Sequence, residues 1–143
     1  MLKTGKEVLD SVLKTARLNQ ISIRSALDTS MRPALRSALE SQLHELDSIE
    51  TEAQSIATQR GWDLEEPDPA LCFFTGKMLR IRLRGRDTDS KIADAMIRQS
   101  TTGLIGGLKD IHRFQGRDAQ IRILSQKLLD CETASIRLMQ NFL

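Results

Sequence analysis

Five cations lie close together near the middle of the chain, with apolar residues beside them and no acid between them. They are Lys77, Arg80, Arg82, Arg84 and Arg86, called here the basic segment. Such an amphipathic element could bind an anionic membrane surface, a nucleic-acid backbone or an acidic protein partner. Four acids stand shortly before it, at Asp63, Glu65, Glu66 and Asp68. We therefore interpret the basic segment as a solvated face on which these acids pair with the arginines, and keep anionic binding as the alternative.

Nucleophilic chemistry has little support in the sequence. Neither His44 nor His112 occurs with a Cys or Ser in a recognisable nucleophile motif, so no catalytic residue is predicted. Cys72 and Cys131 form neither a disulfide framework nor a metal knuckle, which favours a reducing cytoplasm. The glycines at 103, 106 and 107 lack the Lys-Ser/Thr of a phosphate loop and favour close helix packing.

Length and composition limit the classes of protein that remain. The chain has 143 residues, 40% hydrophobic and 28% charged, which predicts one domain over 1–143 and excludes a disordered chain. No apolar run is long enough for a membrane span, and no signal peptide is expected. The net charge of +2 is too small to indicate nucleic-acid binding by itself.

The apolar spacing is typical of helices throughout. A capping box starting at Thr4 predicts the first helix, and the second runs over 33–60 with Gly61 as a left-handed cap. A third long helix should begin at Asp87 or Thr88 and include Leu108 on its apolar stripe. The last should begin after Asp118 and include Leu138.

The stretch 69–86 fits either a helix or an alternating strand, and we favour a helix because one short strand would have no partner. Short turns follow the first and third long helices, and one long crossover joins the second to the third. This arrangement predicts an all-α fold, an antiparallel four-helix bundle. The crossover would carry an extra short helix.

Three stretches of this pattern resemble the ferritin-like superfamily. They are residues 31–43 (MRPALRSALESQL), 90–103 (SKIADAMIRQSTTG) and 130–143 (DCETASIRLMQNFL). More narrowly, the chain is similar to small bacterial ferritin-like bundles of unassigned function, and more distantly to spore-coat-type bundles. The resemblance implies a ferritin-like topology and an ancestral metal site.

That ancestral site would need one Glu from each of two helices and Glu-x-x-His from each of the other two. Ser41 and Lys109 stand three residues before the two histidines, so the Glu-x-x-His motif does not occur. We therefore expect no metal site and no cofactor. Instead, a polar core layer should be formed across the bundle by Gln20 and Gln42, together with Gln99 or Ser100. The rival interpretation is a divergent iron site near Gln20, Glu40, Gln42, His44 and Glu132.

The function predicted from these features is a non-catalytic bundle that acts through a protein partner or self-association. The third long helix and the basic segment are the candidate contact surfaces. A divergent iron-binding protein and an anionic-surface or nucleic-acid binder remain as alternatives.

Overall fold

The protein is built from helices. The computed structural model describes residues 2–143, apart from the side chain of Ile81, so Met1 of the predicted domain lies outside the described residues. It has five α-helices: α1 (Gly5–Leu27), α2 (Pro33–Arg60), α3 (Pro69–Arg82), α4 (Thr88–Arg113) and α5 (Ala119–Met139). A short 3₁₀ helix, Gln140–Phe142, follows α5. No β-strand occurs over residues 2–143, and the predicted all-α class is confirmed.

The helices begin and end at the predicted local signals. The Thr4 hydroxyl accepts a hydrogen bond from the Glu7 amide and caps α1. At the end of α2, Gly61 has φ of +66°, a left-handed conformation that costs glycine little. The Asp118 carboxylate accepts from the amides of Gln120 and Ile121 and caps α5.

The helix favoured for 69–86 is confirmed as α3, although it ends at Arg82. Two residues with positive φ follow, Gly85 at +102° and Asp87 at +57°. These conformations do not continue a right-handed helix, so the last part of the basic segment lies in the connection to α4.

The helices contact one another through their apolar faces. α1 packs against α2, α4 and α5, and also carries α3 on its outer side, while α5 packs against both α2 and α4. The core contains the predicted stripe of α2, from Leu35 and Leu39 to Ala53 and Ile56. No helix over residues 2–143 combines the length and apolar character that crossing a bilayer requires.

Contacts at the helix ends show how the chain runs. The Lys3 amide donates to the Arg113 carbonyl at 2.8 Å, which brings the start of α1 to the end of α4. Arg60, at the end of α2, pairs with Asp118 before α5. Arg32, before α2, pairs with Asp89 at the start of α4 at 2.6 Å.

Two residues predicted on apolar stripes are exposed instead, Leu108 (52%) and Leu138 (38%). On α4 the cause is that Gly103 and Gly107, rather than Leu108, face α5. A Cβ on Gly107 would lie 2.6 Å from Leu129 Cδ2, and one on Gly103 would lie 3.2 Å from the Glu132 carboxyl carbon. Because α5 approaches α4 along these glycines, the neighbouring Leu108 points to solvent.

Candidate functional site

A group of polar side chains lies inside the helix assembly, with at least one member on each of α1, α2, α4 and α5. We call it the core polar cluster: Asn19, Gln42, Ser100, Glu132 and Ser135. All five are buried, and Glu132 is only 1% exposed. Burying polar groups is costly unless they are hydrogen-bonded, so the cluster is an unusual feature of this core.

Hydrogen bonds connect most of the cluster. The Asn19 Nδ2 amide donates to Glu132 Oε1. The Ser100 hydroxyl donates to Ser135 Oγ at 3.2 Å, and the Ser135 hydroxyl donates to Gln42 Oε1, also at 3.2 Å. Two atoms of the cluster, Glu132 Oε2 and Gln42 Nε2, have no hydrogen-bond partner within residues 2–143.

The cluster borders a cavity of about 10 Å³, which Cys131 and the half-buried Gln99 also line. This volume corresponds to about one water molecule. At this volume the cavity is too small for a hydrated ion or an organic ligand. Gly103 leaves room for the Glu132 carboxyl group beside it, since a Cβ at that position would lie 3.2 Å from the carboxyl carbon.

Burial raises the pKa of both acidic groups beside the cavity. Desolvation raises the pKa of Glu132 to about 7, opposed by the nearby Ser100 hydroxyl and by the hydrogen bond from the Asn19 amide. Desolvation, together with the nearby Glu45 and Glu132 carboxylates, raises the pKa of the Cys131 thiol to about 12. Because metal binding needs deprotonated ligands, the raised pKa values of both groups oppose cation binding.

The donor set does not fit the di-metal centre that the family resemblance implies. Over residues 2–143, no three His, Cys, Asp or Glu side chains are grouped as metal ligands. The core polar cluster supplies a single carboxylate, and Glu40 and His44 of the rival iron site are exposed on α2. A di-iron centre needs several anionic oxygens, which these residues do not provide.

The three predicted glutamines are not joined by hydrogen bonds. Gln20 is buried, but its Nε2 donates to Asp47 Oδ1 on α2 at 2.8 Å. Gln42 belongs to the core polar cluster, and Gln99 lines its cavity. The sequence interpretation missed Asn19, which follows Ala16 by three residues and precedes Ile23 by four, and so shares their helix face.

A second feature is the exposed apolar side of α3. Gly76 and Leu79 are buried, and a Cβ on Gly76 would lie 3.0 Å from Ser25 Oγ of α1. The exposed apolar side chains of this helix, called here the α3 face, are Leu71 (42% exposed), Phe73 (68%), Phe74 (63%) and Met78 (45%). Leu71, Phe74 and Met78 line a groove of about 430 Å³ between α3 and α4, whereas Phe73 does not line it.

The basic segment is largely unneutralised. Arg80 pairs with Asp28 at 2.9 Å, and Lys77 lies over the Phe73 ring at 5.8 Å. Among the described residues, no carboxylate lies within 4.0 Å of the cationic groups of Lys77, Arg82, Arg84 or Arg86. Four of the five cations therefore remain available to an external anionic group.

The interpretation that the preceding acids pair with the arginines is wrong for the described residues. Glu66 pairs instead with Arg17 of α1, and Asp68 Oδ1 accepts from the Ala70 amide at 2.9 Å. The physical reason is distance, because the 14 residues of α3 hold the two charged groups about 20 Å apart.

Comparison with known proteins returned no match: no protein-family model, no curated protein and no solved structure is significantly similar to this chain.

Proposed function

We propose that the chain is a non-catalytic, ferritin-like four-helix bundle that has lost its di-metal site and acts by protein association. The α3 face is the contact surface. The observation that carries this proposal is the exposure of Leu71, Phe73, Phe74 and Met78 on one short helix. Monomeric proteins rarely expose contiguous apolar surface of this kind without a binding role.

The contacts at the helix ends support the bundle. The start of α1 lies beside the end of α4, and the end of α2 beside the start of α5. With α1 packed on α2 and α4 packed on α5, neighbouring helices run in opposite directions. α2 and α4 then run the same way, and α3 spans the crossover between them, as in a ferritin-like topology.

The core polar cluster supports the loss of metal chemistry. The hydrogen bonds between Asn19 and Glu132, and among Ser100, Ser135 and Gln42, are suited to fixing the register of packed helices. A reducing cytoplasm is part of the proposal and is supported by the free thiols of Cys72 and Cys131.

The association proposal can be tested with a photo-reactive amino acid at Phe73. Ile123 on α5, which is 59% exposed, is the matched control because it is equally accessible but lies outside the α3 face. Irradiation in cells should give a defined protein adduct from position 73 and none from position 123. Absence of any protein adduct at 73, or equal adducts at both positions, would contradict the proposal.

The unneutralised cations favour a second candidate function, binding to an anionic surface. The helix α3 and the connection after it have the composition of an amphipathic segment that binds a membrane surface, with the cations Lys77, Arg82, Arg84 and Arg86 and the aromatic residues Phe73 and Phe74. Salt-dependent retention on heparin or on vesicles rich in phosphatidylserine, lost in Arg82→Gln/Arg84→Gln, would support this function. No retention at low salt would exclude it.

A further inference from the structure

Charge is distributed unevenly along the exposed surface of α3. Exposed acids precede its N-terminal end at Asp63, Glu65, Glu66 and Asp68. Exposed cations lie toward and beyond its other end at Lys77, Arg80, Arg82, Arg84 and Arg86. The α3 face lies between the two groups, so this surface is acidic at one end, apolar in the middle and basic at the other.

We propose that the α3 face binds a second copy of this chain, with the two α3 helices antiparallel about a two-fold axis near their middle. This inference rests on the proposed function, because it names the partner of the same surface. In such a symmetric interface the same patch is used twice, and each residue contact occurs in two equivalent copies. Reversing one copy places its acidic end against the basic end of the other.

The register of this pair follows from the spacing. With the axis near Thr75, Glu66 of one copy lies opposite Arg84 of the other and would be shared between Arg84 and Arg17 of its own chain. Asp68 lies opposite Arg82. Phe73 then lies opposite Lys77, which already contacts the Phe73 ring of its own chain at 5.8 Å. The apolar side chains around the axis cover each other, which removes them from water.

The same charge pattern argues against the other occupants of this surface. An anionic membrane lying along α3 would attract the basic segment but repel Glu65, Glu66 and Asp68. A wholly acidic protein would meet the same repulsion. A reversed copy of the chain is complementary at both ends.

The size of the surface predicts a weak dimer. A stable interface buries about 800 Å² on each partner, whereas a helix about 20 Å long supplies several hundred. We therefore expect dissociation in the micromolar range or weaker, with a monomer–dimer equilibrium that depends on concentration and weakens at high salt.

Charge reversal tests the antiparallel arrangement. The acid-end variant carries Glu66→Lys and Asp68→Lys, and the base-end variant carries Arg82→Glu and Arg84→Glu. Each change places like charges opposite each other in a symmetric pair, so sedimentation equilibrium should show dimerisation of each variant weakened by about tenfold or more. An equimolar mixture should again form dimers, because positions 66, 68, 82 and 84 are then cationic in the first variant and anionic in the second, so every facing pair is of opposite charge.

Two further variants act as controls. Arg137→Glu changes an exposed cation on α5 and should leave dimerisation unchanged. Phe74→Ser removes an exposed side chain from the centre of the α3 face and should give monomers with unchanged helix content by circular dichroism.

Three results would overturn the inference. A wild-type protein that stays monomeric up to millimolar concentration would show that a second copy is not the occupant. Failure of the mixture to form dimers would reject the antiparallel charge pairing. Vesicle binding by the wild type that is lost in the base-end variant, without dimerisation, would assign the surface to a membrane. If the wild type is monomeric but position 73 still cross-links another protein, association stands and only the self-pairing fails.

Discussion

Asn19 on α1 donates a hydrogen bond to the Glu132 carboxyl group on α5 in the protein interior. The two residues are far apart in the chain, and the carboxyl group faces the helix-packing glycine Gly103 of α4 on another side. The other oxygen of Glu132 has no partner within residues 2–143. We therefore expect this buried carboxyl group, which accepts a single hydrogen bond, to make the free energy of unfolding depend on pH.

Glu132→Gln should remove most of that sensitivity. The folded state raises the pKa of Glu132 from an ordinary value of 4.5 to about 7, so it holds a proton that the unfolded chain releases. The free energy of unfolding of the wild type should therefore fall as pH rises from about 4.5 through about 7, by about 3 kcal/mol in total. Urea denaturation at about pH 4.5 and about pH 8.5 measures this difference.

In Glu132→Gln the side chain stays neutral and can still accept from Asn19. The variant should match the wild type near pH 4.5 and exceed its stability near pH 8.5. Glu40→Gln, at an exposed position on α2, is the control and should keep the wild-type pH dependence. Parallel pH profiles for Glu132→Gln and the wild type would show that the carboxyl group does not titrate in this way.

Asn19→Ala should destabilise the protein because it removes the one hydrogen bond that the Glu132 carboxyl group accepts from α1. Leaving a buried polar group without its partner costs about 1–3 kcal/mol. Since the Asn19 amide lowers the pKa of Glu132, its loss should also move the pH transition to higher pH. Denaturation curves over a pH series measure both effects.

Asn141→Ala, in the exposed 3₁₀ helix at the C-terminal end, should change neither quantity. If Asn19→Ala shifts the stability but leaves the pH transition in place, the hydrogen bond to Glu132 has no influence on its titration.

The glycines of α4 should respond to substitution in opposite directions. No atom lies within 4 Å of a Cβ built on Gly106, so Gly106→Ala should stabilise the helix by about 0.5–1 kcal/mol. On Gly103 a Cβ would crowd the buried Glu132 carboxyl group, so Gly103→Ala should cost about 1–3 kcal/mol. Thermal or urea unfolding of the two variants side by side provides the comparison, and equal effects would refute the close α4–α5 approach at Gly103.

The two cysteines should differ in reactivity toward a disulfide reagent. Cys72 on α3 is half-buried, whereas Cys131 is buried and its pKa is raised to about 12. At about pH 8, only about one Cys131 group in ten thousand is a thiolate, the reactive form. One thiol per native chain should therefore react quickly, and the second only in denaturant.

The variant Cys72→Ser identifies the reactive group. It should show no fast reaction in the native state and one reaction in denaturant. A fast native reaction in this variant would place Cys131 at the surface, against its burial in the core.

The helices could be predicted from the sequence because their signals are local. Each signal acts on a neighbouring backbone group, so the amino-acid sequence is enough to recognise it. The signals are the caps Thr4 and Asp118, the terminating Gly61 and Pro33 at the start of α2. The 3.6-residue spacing likewise identified the buried stripe of α2.

Only the tertiary structure decided which polar residues meet in the core. Asn19 and Gln20 are adjacent and both buried, yet one bonds Glu132 on α5 and the other Asp47 on α2. The difference is about 100° of helix rotation, which depends on how α1 lies between its neighbours rather than on its own sequence. Packing between distant parts of the chain also determines that Leu108 is exposed and that the end of the basic segment has no acidic partner among the described residues.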